Sequence, residues 1–298
     1  MEQRSKGRML ITGIDGFTGA HLETALIKSG YDVFGTTYST SRQSNHFQCN
    51  ILDKVQIKEV LNAIRPIYII HLAAISFVAS ENINVIYETN IIGTLNLLEG
   101  LDELGLEVKK ILLASSAAVY GNIGNELSEE MTPKPINHYG NSKLAMENMA
   151  ANYFGKYEII LLRPFNYTGV GQGRDFLIPK IVDHFKREDE FIELGNLYTF
   201  REYNSVKTFV DIYIRLLESS FCSGAINICS GSTYSIEQIL QIMSELADYS
   251  IKVKVNQKFI RKNEIIELKG STKKLIEILG SSIHYIDLKH TLRSMYLG

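Results

Sequence analysis

The feature that most restricts how this chain can fold is the octapeptide Thr12-Gly13-Ile14-Asp15-Gly16-Phe17-Thr18-Gly19 near its N-terminus. It joins a short apolar run, Arg8–Thr12, to an amphipathic stretch from Phe17 to Ser29. Lacking side chains, Gly13 and Gly16 let the backbone turn tightly and approach a pyrophosphate, whose charge a helix N-terminus favours, and Gly19 lets that helix lie close to a sheet. Asp15 and Phe17, between the glycines, are candidate contacts of the same ligand. Ordinary turns also use glycine, so it is the strand before and the helix after that make this a predicted dinucleotide site.

The rest of the N-terminal half has the same alternation. Strand-like runs at Asp32–Thr37, Ile67–Leu72, Lys110–Ser115 and Glu158–Arg163 are separated by helical stretches at Val55–Ile64, Val85–Leu104 and His138–Phe154. Such an order predicts an α/β, Rossmann-like, doubly wound parallel sheet. After Arg163-Pro164-Phe165-Asn166 the pattern turns irregular, with Gly169, Gly171 and Gly173 in loops. We therefore expect a dinucleotide-binding domain over 1–165 and a smaller C-terminal α/β substrate lobe over 166–298. Parts of 205–230, a helix from about Ser205 to Glu218 and a strand at Ala225–Cys229, could return to the first domain. A chain of 298 residues, 45% hydrophobic, suits one full-sized core and one smaller lobe.

Several function classes are disfavoured. A formal charge of −2 with dispersed charges lacks the basic surface that a phosphate backbone demands, so nucleic acid is not an expected partner. The longest apolar runs, such as Ile69–Ala74 and Ile111–Ala114, are strand-length, far short of the ~18–20 residues of a membrane span. The first residues lack the apolar stretch of a secretion signal, and a cytoplasmic location is expected. Cys49, Cys222 and Cys229 form no CxxC pair and read as buried thiols, and the histidines show no ligand spacing, so no metal is expected.

An NAD site usually carries an acid at the end of the second strand to hold the ribose 2′-hydroxyl. Here that end reads Phe34-Gly35-Thr36-Thr37-Tyr38-Ser39, without one. Hydroxyls at Thr37 and Ser39, with Arg42 following, suit a 2′-phosphate, so NADP(H) is preferred over NAD(H). A solvated polar loop is the alternative.

Tyr139-Gly140-Asn141-Ser142-Lys143 sets a tyrosine and a lysine four apart, on one face of a predicted helix. A tyrosine hydroxyl titrates near pH 10 in isolation, and a nearby ammonium favours phenolate, which brings proton exchange towards neutral pH. That spacing also arises by chance, so its companions matter. Ser115-Ser116-Ala117-Ala118-Val119-Tyr120-Gly121 ends a buried strand at the carboxyl edge, where open parallel sheets hold ligands, and Asn90 begins a helix-rich stretch before it.

Together with His71-Leu72-Ala73-Ala74 after the fourth strand and Arg163-Pro164-Phe165-Asn166, these residues resemble the extended short-chain dehydrogenase/reductases, the NAD-dependent epimerase/dehydratase family, along nearly the whole chain. The resemblance implies Tyr139 as proton donor or acceptor and Lys143 lowering its pKa while holding the nicotinamide ribose. It further implies Ser116 hydrogen-bonding the reacting oxygen and Asn90 supporting the lysine. Asn50 and Ile51 fall where the family contacts adenine, often with Asp in place of Asn50; Leu72, Ala73, Ala74 and Ser76 would line the nicotinamide side. Asn166, Arg201 and Arg261 correspond to residues around the sugar diphosphate, which paired guanidinium forks suit. This chain departs from the family in Arg201-Glu202-Tyr203-Asn204-Ser205-Val206-Lys207-Thr208, which lacks both usual aspartates. The family also implies a homodimer through the Val85–Leu104 and YxxxK helices, with Leu95, Leu98, Met146, Met149 and Ala150 as candidate contacts.

Family 4,6-dehydratases carry an acidic group just after the catalytic serine or threonine; here Ala117 and Ala118 stand there, supplying neither the acid nor the base that elimination needs. Dehydration is disfavoured unless another carboxylate reaches in. The segment 163–172 and Gly195-Asn196-Leu197 resemble the GDP-mannose dehydratase branch and its companion reductases. The expected reaction is NADPH-dependent reduction of the C4 ketone of a nucleotide-linked 6-deoxy-4-keto-hexose, GDP or dTDP, for deoxysugar and surface polysaccharide synthesis. A 4-epimerase that recycles its cofactor is the close rival. A non-catalytic NADP(H)-sensing protein, from another class, would have little reason to keep Ser116, Tyr139 and Lys143 together.

Overall fold

The computed structural model describes residues 5–41, 43–76, 82–259 and 266–298. Its centre is a seven-stranded parallel sheet. The strands are β1 (Arg8–Thr12), β2 (Asp32–Thr37), β3 (His46–Gln48), β4 (Tyr68–His71), β5 (Lys110–Ala114), β7 (Ile159–Pro164) and β12 (Gly224–Ile228), in the spatial order β12-β7-β5-β4-β1-β2-β3. The order runs outward in both directions from the β1–β4 pair, which is the doubly wound arrangement of a Rossmann-like fold.

Alternation along each strand builds two cores. Met9, Ile11, Ile70, Leu112, Ile160 and Leu162 face α1 (Phe17–Lys28), α7 (Val206–Glu218) and α9 (Lys273–Leu279). Leu10, Ile69, Ile111, Leu113, Ile159 and Leu161 face α2 (Lys54–Ile64), α4 (Gly93–Glu103) and α5 (His138–Ala151). Both faces are covered, so the strands are apolar throughout rather than half polar. Local signals start the helices: Asp53 accepts from Val55 N and Gln56 N to cap α2, and Asn137 accepts from Gly140 N to cap α5.

The stretch expected as one helix over Val85–Leu104 is three pieces: α3 (Ile83–Tyr87), a π-helical turn (Glu88–Ile92) and α4. The wide turn surrounds Asn90, which is buried and bonded on both sides of its amide, and periodicity cannot announce it because the apolar pattern runs through unbroken.

After β7 the chain forms a third core from α6 (Leu177–Lys186), α8 (Ile236–Ala247) and α10 (Leu288–Leu297) over the short pair β9 (Phe191–Leu194) and β14 (Lys252–Val255). A four-stranded sheet runs β13 (Thr233–Ser235), β10 (Phe200–Glu202), β15 (Glu267–Gly270), β6 (Asn125–Leu127), and its Leu127 and Leu268 pack with Val119, Tyr120 and Phe165. The pair β8 (Tyr167–Thr168) and β11 (Asn204–Ser205) leads into α7, and β12 pairs with β7 in the main sheet, so the chain re-enters the first layer structure after leaving it. Cys49 and Cys229 are buried as expected, but Cys222 is exposed: it sits on the turn between α7 and β12, outside any apolar layer. Among the described residues no helix is long and apolar enough to cross a membrane, and no cluster of three or more His, Cys, Asp or Glu has metal-holding geometry.

Candidate active site

The glycine loop turns between β1 and α1 at the carboxyl edge of the sheet. Gly13 has φ of 70°, and a Cβ on it would lie 3.1 Å from the Ala73 backbone. Gly16 is the N-cap of α1 and brings no side chain to the open amides of the first turn, leaving them for an anion. A Cβ on Gly19 would lie 2.5 Å from Ile14 O and 2.6 Å from Gly13 O, backbone atoms with no freedom to yield. The loop thus fits a pyrophosphate. Gly19→Ala should weaken the binding of a nicotinamide dinucleotide by about 10–100-fold, the effect of ~1–3 kcal/mol of overpacking; fluorescence titration with NADPH and with NADH checks it, and unchanged affinity for both would remove the loop from the expected cofactor site.

At the end of β2, Thr37 is buried and its hydroxyl donates to Ser39 O, while Ser39 is exposed. The Thr37 proton is therefore spent within the turn, and of the two hydroxyls Ser39 is the one open to a ligand. Arg42 lies outside the described residues. The following strand is fixed by a partly buried pair that the sequence did not announce, His46 Nε2 to Glu23 Oε1 at 2.7 Å, with Ser41 Oγ 3.3 Å from His46 Nδ1. Asn50 Oδ1 accepts from Leu52 N, and Ile51 is buried, its carbonyl accepting from Asn96 Nδ2, so both shape the turn after β3.

The β4 end is held by an ordered hydrogen-bond chain. Thr12 Oγ1 accepts from Leu72 N and Ala73 N and directs its proton at His71 Nδ1, 2.7 Å away. His71 Nε2 then donates to Thr94 Oγ1 at 2.9 Å, which donates to Asn90 O. That order assigns a neutral imidazole, in keeping with a pKa pushed down to about 3 by burial and by Lys143. Asn90 fastens the neighbouring loop: Oδ1 accepts from Ile75 N, and Nδ2 donates to Ile75 O and to Ser142 Oγ. Its amide reaches Lys143 through the helix rather than by direct contact. Leu72, Ala73 and Ala74 are half-buried along this loop, and Ser76 is exposed at its end.

Ser116, Tyr139 and Lys143 converge where β5 ends and α5 begins. Ser116 caps the 3-10 turn Ala117–Tyr120, its Oγ accepting from Ala118 N, and it is the polar side chain facing the Tyr139 hydroxyl. Lys143 is 4% exposed; its Nζ donates to Ala114 O at 2.7 Å and stands 6.0 Å from the centre of the Tyr139 ring. Burial pushes the Tyr139 hydroxyl up to about 12, against a smaller lowering by Ser116. The ammonium reaches back to the strand carbonyl, and burial dominates both groups: Lys143 is pushed down to about 8, opposed by Glu147. The site holds a protonated phenol, an arrangement suited to giving a proton.

The structure also shows residues that sequence reasoning missed. Glu147, one turn beyond Lys143, forms a buried ion pair with Arg163 and accepts from Ser115 Oγ. Its position four residues past the lysine was the available signal. Tyr167 packs on Phe17, ring centres 6.0 Å apart, and its hydroxyl is 2.7 Å from Thr18 Oγ1, joining β8 to the glycine-loop helix. Glu202 stands where the family has an aspartate; buried, it accepts from Asn204 Nδ2, Ser230 N and Gly270 N, while Thr208 Oγ1 accepts from Ile286 N. The loop that lacks both aspartates is thereby held by other bonds.

Asn166 is exposed, its carbonyl accepting from Asn204 N, and Arg201 is half-buried on β10, bonded to Phe200 O. Arg261 lies outside the described residues. Of the five candidate dimer contacts, Leu98, Met146 and Ala150 are buried in the core between α4, α5 and the sheet within the single chain; Leu95 and Met149 are half-exposed.

Comparison with known proteins places this geometry. Residues 10–295 match the family model described as GDP-mannose 4,6 dehydratase. The chain is 36% identical over 291 residues, 97% of each sequence, to the GDP-6-deoxy-D-talose 4-dehydrogenase of Aggregatibacter actinomycetemcomitans. A solved structure from Burkholderia cenocepacia J2315 matches with a TM-score of 0.93 at 36% identity, over 99% of this chain and 98% of that one. RMD from Pseudomonas aeruginosa, solved with NADPH, matches with a TM-score of 0.87 at 25% identity, over 98% of both.

Proposed function

Since this chain belongs to the GDP-mannose 4,6-dehydratase family of nucleotide-sugar enzymes, we propose that within it the protein is a 4-ketoreductase, using NADPH to reduce the C4 ketone of a GDP-linked 6-deoxy-4-keto-hexose. The observation that carries this reading is the catalytic corner itself. A protonated Tyr139 lies beside Ser116, and Ala117 and Ala118 stand where elimination would need an acid or base.

The glycine loop would hold the pyrophosphate, Ser39 the 2′ side of the adenosine, and Lys143 the nicotinamide ribose. When bound, the nicotinamide supplies the hydride for C4. Tyr139 then gives its hydroxyl proton to the carbonyl oxygen, and Ser116 donates a hydrogen bond to the same oxygen as charge develops on it. Asn90 keeps the Ala73–Ser76 loop against this corner, and Arg201 offers its guanidinium to the sugar diphosphate. The relative named for C4 oxidation of a GDP-6-deoxy-hexose, and the structure solved with NADPH, support the substrate class and the cofactor.

The test is a panel of GDP-, dTDP-, CDP- and UDP-linked 4-keto sugars with NADPH and NADH. Stoichiometric loss of NADPH absorbance with the GDP sugar is expected; interconversion of C4 epimers without net cofactor loss would replace this reading with a 4-epimerase.

We propose also that the protein works as a homodimer. Ile92 is 44% exposed and adjoins the half-exposed Leu95, with Met149 on α5, an apolar flank left after the core has taken its share. Sedimentation at micromolar concentration should show a dimer; a monomer would remove this flank as an interface.

A further inference from the structure

We propose that Glu147 is a positioning residue for this reaction: one buried carboxylate, with Arg163 as its counter-ion, sets the placement of Ser116 and the charge of Lys143. The proposal rests on the catalytic reading above and deepens it. Glu147 is 3% exposed and projects from α5, one turn past Lys143. It accepts from Ser115 Oγ at 2.5 Å, from Arg163 Nε at 3.0 Å and from Arg163 Nη2 at 2.6 Å. Ser115 lies between two working residues, Ala114, whose carbonyl accepts a hydrogen bond from Lys143 Nζ, and Ser116, which faces Tyr139. By gripping Ser115 from the helix that carries Tyr139 and Lys143, Glu147 fixes the end of β5 relative to α5.

The far side of the pair is equally committed. Arg163 Nη1 donates to Tyr120 OH at 3.0 Å, Tyr120 OH donates to Asn227 Oδ1 at 2.7 Å, and Asn227 Nδ2 donates to Leu127 O. Stability alone is a weak reason for such a pair, because apolar replacements of buried ion pairs are often neutral or stabilising. What an apolar pair cannot supply is a negative charge beside Lys143.

The other groups around that ammonium leave this work to Glu147. On its own helix Tyr139 is protonated at neutral pH, as is Tyr120 in the 3-10 turn, and Tyr167 on β8 is raised by burial. His71 on β4 is neutral, and Arg163 on β7 is matched by Glu147. Tyr87 of α3 pairs with His138, Glu88 of the π-helical turn is exposed, and Glu99 and Glu103 of α4 bind Lys54 on the surface. Glu147 opposes the burial that pushes Lys143 down to about 8 and so helps keep it charged at neutral pH.

Glu147→Gln is the test. In the wild type, kcat for ketone reduction should fall near pH 8 as Lys143 loses its proton; in Glu147→Gln that limb should move at least about one pH unit lower, while Glu147→Asp should restore it. The Lys143 Nζ titration, followed by NMR in cofactor-free protein with labelled lysine, should move the same way. Arg163→Gln should move both readings upward, and it decides the matter should Glu147→Gln fail to fold. A limb and a lysine titration that stay in place, with kcat lowered equally at every pH, would reduce Glu147 to a structural group and overturn the proposal. If the wild type reduced none of the sugars, the ketoreductase reading would fall while the NMR titration still judged Glu147.

Discussion

Tyr139→Phe should lower turnover on a 4-keto nucleotide sugar by about 10²–10⁴-fold, the usual contribution of a positioned general acid, with the fold intact and NADPH affinity unchanged. The substitution keeps the ring in the first turn of α5 and deletes the hydroxyl that faces Ser116. With that hydroxyl pushed up to about 12, the tyrosine is protonated across the working pH range, so its loss should depress kcat evenly below pH 8 rather than reshape the profile. NADPH absorbance gives kcat, fluorescence titration gives the affinity, and thermal unfolding confirms the fold. Near-complete activity in this variant would mean that another group delivers the proton, and the roles given to Ser116 and Lys143 would go with it.

Lys143→Met should produce a defect of a different kind. The methionine fills the space of a side chain that is 4% exposed but brings no charge and leaves Ala114 O without its donor. A hydrogen bond from a charged group contributes about 1.5–3 kcal/mol, so loss of the proposed ribose contact should weaken NADPH binding by about 10–100-fold. Turnover should fall as well, and its pH limb near 8 should vanish, because the group that titrates there is gone. Unchanged NADPH affinity would separate Lys143 from the cofactor.

Much of this was legible in the amino-acid sequence. The glycine loop, the parallel sheet and the YxxxK helix all follow from short-range patterns: apolar runs of strand length, glycines where Cβ atoms would collide, and a four-residue step that stacks two side chains on one helical face. The π-helical turn at Asn90 was hidden because its cause lies elsewhere in the chain, at Ile75 and Ser142. The dimer candidates Leu98, Met146 and Ala150 were unsorted for a related reason. Amphipathic helices packed in the same layer share apolar residues among sheet, neighbour helix and partner, and periodicity does not divide them.

By itself, then, the sequence determined the alternation of strands and helices that builds the parallel sheet through β7, and it set the glycine loop, the tyrosine–lysine pair and the serine at the ends of those elements, since each depends on residues a few positions apart. Tertiary structure alone decided how those groups behave. Whether Tyr139 gains or loses acidity depends on the competition between burial and its polar neighbours, and burial prevails, while Lys143 is tied to the carbonyl of Ala114, on a strand 29 residues away. The Glu147–Arg163 pair and the bonds that replace the missing aspartates around Glu202 likewise join distant segments, and electrostatics in a low-dielectric interior is set by such neighbours rather than by local sequence.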